Sequence, residues 1–270
     1  HARRRGPKWP AFRRRTDGRN RRPRGPSAAP THNHLWRGCA PATTHNHRSM
    51  ILTEAANATI AVLGGTGDLG SAIARRLAQA GRKVIIGSRA QESAIAAAER
   101  LGFGLTGLAN EEAAAAADII IVAVPFAAQE GTLRSVAAHV AGKIVVDTTV
   151  PLVPPRVMRV QLPAEGSAAA RAQAILGEDV RMVSAFHNVA AHKLIKDEDV
   201  ACDVLVFGDD KAARESVIDL VQACRLRGLH GGALVNSAAA EALTSVLIFL
   251  NKTYAVDGAG IQITGELQGA

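Results

Sequence analysis

Aromatic side chains are scarce: Phe, Trp and Tyr together make up 3 % of the 270 residues, against 47 % hydrophobic residues in all. The core must be aliphatic and alanine-rich, which suits a sheet covered by helices better than a β-sandwich. Cysteine is scarcer still. Cys39, Cys202 and Cys224 form no C-x-x-C pair and are odd in number, so a disulfide framework and a zinc site are both disfavoured. A reducing cytoplasm is the expected compartment. No apolar run reaches the roughly 18 residues that cross a bilayer. The best candidate, "LTSVLIFL", stops at Asn251-Lys252, so no membrane span is expected. Catalytic signatures are missing too: there is no H-E-x-x-H, no Ser–His–Asp set and no lysine in an obvious dehydrogenase position.

The net charge of +8 belongs to one end of the chain. Residues 1–50 carry 13 of the 32 Lys and Arg and a single acid, Asp17, which leaves 19 bases against 23 acids in the rest. The body is mildly acidic, so no nucleic-acid partner is expected for it. The tail "HARRRGPKWPAFRRRTDGRNRRPRGPSAAP" is rich in Arg and Pro without a hydrophobic period and reads as disordered. It holds both tryptophans, Trp9 and Trp36, and two copies of "THNH" at Thr31–His34 and Thr44–His47. Nothing around those histidines would order a metal site, and none is expected. A nucleic-acid arm, a transit peptide and untranslated upstream sequence all fit the tail. Met50 is the favoured start, because a recognisable fold begins within about ten residues of it. The expected organisation is a basic tail at 1–50, a nucleotide-binding domain at 51–150, and a smaller lobe at 151–270 that forms the substrate cleft.

From "ATIAVLGG" onward, apolar runs alternate with helical patterns. "DLGSAIARRLAQAG" is a helix closed by glycine, "KVIIGS" a strand, and "AQESAIAAAERLG" a second helix. "DIIIVAVP" and "KIVVDTT" are further strands, separated by "AAQEGTLRSVAAHVAG". Strands that are apolar on both faces, at βαβ spacing, predict an α/β fold with a Rossmann-type doubly wound parallel sheet. The texture changes at Pro151. "VPLVPPRVMRVQLP" reads as an irregular loop, and a smaller C-terminal α/β lobe follows it. "SAAAEALTSVLIFLNKTY" is a long, mostly apolar helix there that needs a partner to cover it. A homodimer would supply one.

The turn after the first strand, Gly65-Thr66-Gly67-Asp68-Leu69-Gly70, fits G-x-G-x-x-G. Gly65 would permit the tight turn, Gly67 the approach of a pyrophosphate, and Gly70 close packing of helix on strand. The helix N-terminus offers N–H groups and partial positive charge to the phosphates. At the end of the second strand stands Ser88-Arg89 in place of an acid. A carboxylate there would accept from ribose hydroxyls and repel a phosphate. A guanidinium and a hydroxyl do the opposite, which selects NADP(H) over NAD(H). The bland alternative is an exposed arginine at a helix start. "VAVPF" brings Val124, Pro125 and Phe126 to the nicotinamide side, with Phe126 as a flat apolar surface; a plain strand-ending turn is the alternative there.

"SAFHNVAAH" is harder to read. A lone histidine after an apolar strand, such as His187, is more often structural than catalytic. Hydride transfer between two conjugated rings, however, needs stacking and exclusion of water rather than a protein acid. Small residues such as Ala190 and Ala191 would let a flat ring lie against the backbone.

"AVLGGTGDLGSAIARRLAQAG", "VIIGSR", "VSAFHNVAAHKL", "CDVLVFGDD" and the closing "LTSVLIFLNKTY…GIQITG" together resemble the NADPH-dependent F420 reductases, or F420H2:NADP oxidoreductases, over about 51–265. The resemblance implies hydride transfer between carbon 5 of the deazaflavin coenzyme F420 and carbon 4 of the nicotinamide. It implies 2′-phosphate contacts from Thr66, Ser88 and Arg89 and a nicotinamide neighbour in Pro125. His187, Asn188, Val189 and Ala190 would border the deazaflavin, with backbone N–H groups stabilising the reduced ring. Family members often have proline where Ala190 stands. Asn236 and Ser237 match the start of the helix that closes the cleft, and Pro151–Arg156 would line it. Lys193, Arg156 and Arg159 are candidates to meet the anionic tail of F420, each with a solvated surface as its alternative. Two other readings stay open. One is an NADPH-dependent reductase of an imine such as pyrroline-5-carboxylate, a flavin or a metal chelate. The other is a non-catalytic NADP(H) sensor.

Overall fold

The structure is a computed structural model, which describes Ala55 and residues 57–267. The basic tail, with its THNH pairs, tryptophans and Met50, lies outside the described residues. The first half runs β1 (Thr59–Leu63), α1 (Asp68–Gln79), β2 (Lys83–Ser88), α2 (Gln91–Leu101), β3 (Thr106–Ala109), α3 (Asn110–Ala116), β4 (Ile119–Val122), α4 (Phe126–Val136) and β5 (Ile144–Asp147). The second half adds α5 (Ala168–Leu176), β6 (Arg181–Ser184), α6 (Ala191–Leu194), β7 (Asp203–Gly208), α7 (Lys211–Ala223), β8 (Arg227–Gly232) and α8 (Ser237–Tyr254). Between α4 and β5, and before α8, lie short 3-10 turns.

All eight strands belong to one sheet in the order β3-β2-β1-β4-β5-β6-β7-β8. Every neighbouring pair is parallel except β6–β7. Along β1 the side chains alternate faces: Ile60 and Val62 join one core cluster with α1, α2 and α7, while Ala61 and Leu63 join the other with α3, α4 and α5. Both faces are covered, and this is why the strands read as unbroken apolar runs. The strands beyond residue 150 do not build a sheet of their own. β6 pairs with β5 from Ile144↔Arg181 to Asp147↔Ser184 and carries the first sheet onward.

Two elements escaped the sequence pattern. β3 is a four-residue edge strand, "TGLA", and the alanines of α3 offer no amphipathic contrast. The last helix, α8, takes the bounds of the helix expected over "SAAAEALTSVLIFLNKTY". With the 3-10 turn before it, α8 spans Leu234–Tyr254 and is long and apolar enough to cross a membrane by length and composition. Thr244, Ser245 and Asn251 fall within the run but interrupt neither the helix nor its apolar character. The helix is tied to protein on one side: Glu241, on α8, is 1 % exposed and accepts from the N-terminus of α5.

Candidate cofactor site

The chain leaves β1 through a turn that glycine makes possible at two points. Gly64 has φ +77°, and a Cβ there would stand 2.5 Å from the Ala123 oxygen and 2.7 Å from Val124 Cγ1. The left-handed turn falls on Gly64, and the sequence reading that placed it on Gly65 is corrected. Gly65 is instead pressed against β2, where a Cβ would stand 2.9 Å from Ile86 Cγ2. At Gly70 a Cβ would lie 2.5 Å from the Gly64 oxygen, so the helix packs on the turn as expected. Gly67 is different. It is exposed, caps α1 with ordinary extended geometry (φ −82°, ψ 170°), and a Cβ there would meet only the Gly64 oxygen at 3.4 Å. The protein itself has no need for glycine at that point; room is left on the outer side.

No side chain caps α1, whereas Ser167 caps α5 and Asp210 caps α7. The first N–H groups of α1 therefore face outward without an acceptor, beside exposed Thr66 and Asp68 and half-buried Leu69. This is the arrangement that receives a phosphate. The N–H groups of Gly64 and Gly65 donate to the Gly87 oxygen at 3.1 and 3.3 Å. That bond places the end of β2, and with it Ser88-Arg89, directly beside the glycine turn. Ser88 is half-buried and Arg89 exposed, and neither side chain forms a hydrogen bond or ion pair among the described residues.

Val124 packs beside Gly64, and Pro125 caps α4 with an exposed ring. Phe126 is not the open apolar surface expected from the sequence. The guanidinium of Arg171 lies over its ring, 5.2 Å from the centroid, and Arg171 also pairs with Glu130. The cation covers one ring face, so only part of Phe126 remains for a ligand.

The second candidate segment follows β6. The Ala185 N–H donates to the Asp147 oxygen at 3.1 Å, which carries the chain along the same carboxyl edge as the glycine turn and Val124. Phe186 then turns the backbone with φ +66° while 1 % exposed, an unfavourable conformation for a bulky residue. His187, Asn188 and Val189 are buried, and Ala190 is half-buried. His187 Nε2 and Ser184 Oγ share a hydrogen bond of 2.8 Å. Asn188 Nδ2 donates to the Ala240 oxygen at 2.9 Å and to Thr244 Oγ1 at 3.1 Å, and Thr244 Oγ1 donates to the His187 oxygen at 3.0 Å. Side chains here fasten the segment to α8. The backbone N–H groups of His187, Asn188 and Val189, by contrast, donate to no acceptor among the described residues.

Burial pushes His187 down to about 4, so it is neutral at physiological pH. Its folded value lies below the ordinary 6.5, so it supports folding above about 6.5 and that support is lost as pH falls toward 4. His187→Gln should therefore lose less stability than the parent on going from pH 6.5 to 4.5; thermal unfolding at both pH values checks it. A variant that loses as much as the parent would refute the assignment.

Asn236 is exposed and donates to the Gly231 oxygen at 3.1 Å, while Ser237 is buried with no partner for its hydroxyl among the described residues. Both stand at the start of α8, one turn before Ala240. Arg156 and Arg159 are exposed. Lys193 lines a cavity of about 310 Å³ together with Ala190, Cys202, Asp257 and Gly258.

Two residues of this edge were missed. Asp147 ends β5 fully buried, bonded to Gln129 Nε2 at 2.8 Å and to the Thr149 N–H at 3.2 Å. Glu241 accepts from the N–H groups of Ala168 at 2.6 Å and Ala169 at 3.2 Å. Burial raises Asp147 to about 6 and Glu241 to about 7. A single acid inside the apolar run "SAAAEALTSVLIFL", and another closing "IVVD", were the available signals.

A strand, an uncapped glycine turn and a helix at the point where β1 and β4 diverge define a dinucleotide-binding protein of the Rossmann class. Residues 59–151 match the family model for coenzyme F420-dependent NADP oxidoreductases. The F420-dependent NADP reductase of Methanocaldococcus jannaschii is 40 % identical over 220 residues, 76 % of this chain and 97 % of that protein. The enzyme of the same name from Methanothermobacter thermautotrophicus is 39 % identical over 76 % of this chain and 94 % of its own. A crystal structure of a candidate F420-dependent NADP reductase from Arthrobacter sp. FB24 superimposes with a TM-score of 0.68 at 25 % identity, over 77 % of this chain and 100 % of that one. The chain belongs to the F420-dependent NADP reductase family.

Proposed function

We propose that this protein transfers a hydride between NADP(H) and coenzyme F420. The near full-length match to reductases of that specificity carries the reading. The hydride passes directly between nicotinamide and deazaflavin, so the two bound cofactors supply the chemistry. The chain's task is to bind, orient and exclude water. The uncapped N-terminus of α1 and the open side of Gly67 fit a pyrophosphate. Arg89, free of other partners, would hold the 2′-phosphate with Ser88 and Thr66, and Val124 and Pro125 would border the nicotinamide. The acceptorless N–H groups of His187, Asn188 and Val189 would meet the polar edge of the deazaflavin beside Ala190. Asn236 and Ser237 would close that side. Neutral His187 would act as a wall rather than a proton donor. Val235, Val246, Phe249 and Tyr254, at 43–71 % exposure, would be covered by a second copy in a homodimer.

Mixing the purified protein with NADPH and oxidised F420 should bleach the deazaflavin's visible absorbance. Tight NADPH binding without bleaching would sink this reading and leave the imine, flavin or metal-chelate reductase, or the sensor.

A further inference from the structure

Arg76 lies on α1, two turns from the phosphate end, and is 2 % exposed. Its guanidinium meets no carboxylate among the described residues. Nε donates to the Leu194 oxygen at 2.8 Å, Nη2 to the oxygens of Lys196 at 2.5 Å and Glu198 at 2.6 Å, and Nη1 to the Cys224 oxygen at 3.3 Å. Leu194 is the last residue of α6 and Cys224 caps the C-terminus of α7. These are the ends where helix carbonyls lack partners and the dipole is negative. Burial, and then the charge of Arg225, lower the basicity of Arg76, yet an arginine stays charged. A buried charge held only by carbonyls is a costly way to fill a core, since an apolar side chain of similar volume would commonly serve stability as well.

What the charge achieves is placement. α6 is one turn long and cannot hold its own position. Its N-cap is Ala190, the end of the segment read above as the deazaflavin border. α1 has 12 residues, a rod of about 18 Å, with the phosphate turn at its head and Arg76 on its flank. We propose that Arg76 is the positioning residue that sets the His187–Ala190 segment at a fixed distance from the nucleotide-binding helix, and so fixes the separation of hydride donor and acceptor. This rests on the F420 reading. Arg75 adds a bond to the Ile195 oxygen at 3.2 Å and a pair with Asp197 at 2.6 Å. Asp197 is 66 % exposed, so that pair contributes little and serves as a control.

Arg76→Lys should lower kcat for F420 reduction on the order of 10–100-fold, the cost of misplacing a reacting group by up to an ångström. NADPH affinity should hold, and the isotope effect with NADPH deuterated at the transferred position should change. Asp197→Asn should leave all three near the parent. An Arg76→Lys enzyme with a lower Tm but unchanged kcat and isotope effect would overturn the proposal. Hydrogen exchange on the parent protein tests it without a variant and without F420. Saturating NADP+ should slow exchange at residues 191–198 as well as at the glycine turn. Protection confined to the turn would overturn it as well, whether or not the protein reduces F420.

Discussion

Arg89→Ala is expected to weaken NADPH binding by about 1.5–3 kcal/mol, the range for a hydrogen bond to a charged group, while NADH binding hardly changes. Three observations set that asymmetry. Arg89 is exposed and has no partner among the described residues, so its removal breaks nothing inside the protein. The turn beside it is tied to β2 by the two bonds to the Gly87 oxygen, so Arg89 would lie at the adenosine side of a nucleotide bound at that turn. The ligand group it would face is the one present in NADPH and missing from NADH. Calorimetric titration of both nucleotides decides the matter, and equal losses for the two would refute the phosphate role. High salt should blunt the difference, because the contact is exposed.

Glu241→Ala should destabilise the fold by about 2–4 kcal/mol, since two backbone donors lose their acceptor in a buried site. It should also raise KM for F420, because α8 holds Asn188 and the His187 carbonyl through Ala240 and Thr244. The pH dependence has a definite sign. Burial raises the carboxyl of Glu241 from 4.5 to about 7, so the native state binds the proton more tightly than the unfolded chain. Its contribution is greatest below about 4.5 and is lost as pH rises through 7. Asp147 acts in the same direction, with its value raised from 3.8 to about 6. Glu241→Gln should therefore fall furthest behind the parent in acid and approach it in alkali. Chemical denaturation at pH 5 and pH 8 checks this, and a gap that widens in alkali would contradict it. His187 titrates with the opposite sign, so the comparison of variant with parent is informative where the parent's own profile is not.

Much of the fold could be read from residues alone because the strands are apolar on both faces and glycine punctuates the helices. The place of Ser88-Arg89 at the end of β2 and the start of α1 after the glycine turn were legible for the same reason: both are local and written in consecutive residues. What could not be read was non-local. Nothing in "ARRLAQ" distinguishes Arg76 from Arg75; only the placement of the ends of α6 and α7 against it does. Glu241 and Asp147 lie 94 positions apart, and only the fold brings both to the carboxyl edge. The turn on Gly64 was masked because, of the two adjacent glycines, only Gly65 fits G-x-G-x-x-G. The bonds that hold the Asn188 side chain reach α8, more than 50 residues away.

The single sheet also decides how this enzyme can be re-engineered. Its nucleotide half is not a cassette. Cutting the chain between β5 and β6 would leave two raw sheet edges, each a template for aggregation. A graft from a relative with another nucleotide preference would have to reproduce the β5–β6 register and also the Asp147–Ala185 contact that continues it. Recombination should therefore succeed within loops, such as the Arg89-Ala90 turn that follows β2, and fail at the boundary that composition alone would suggest near residue 150.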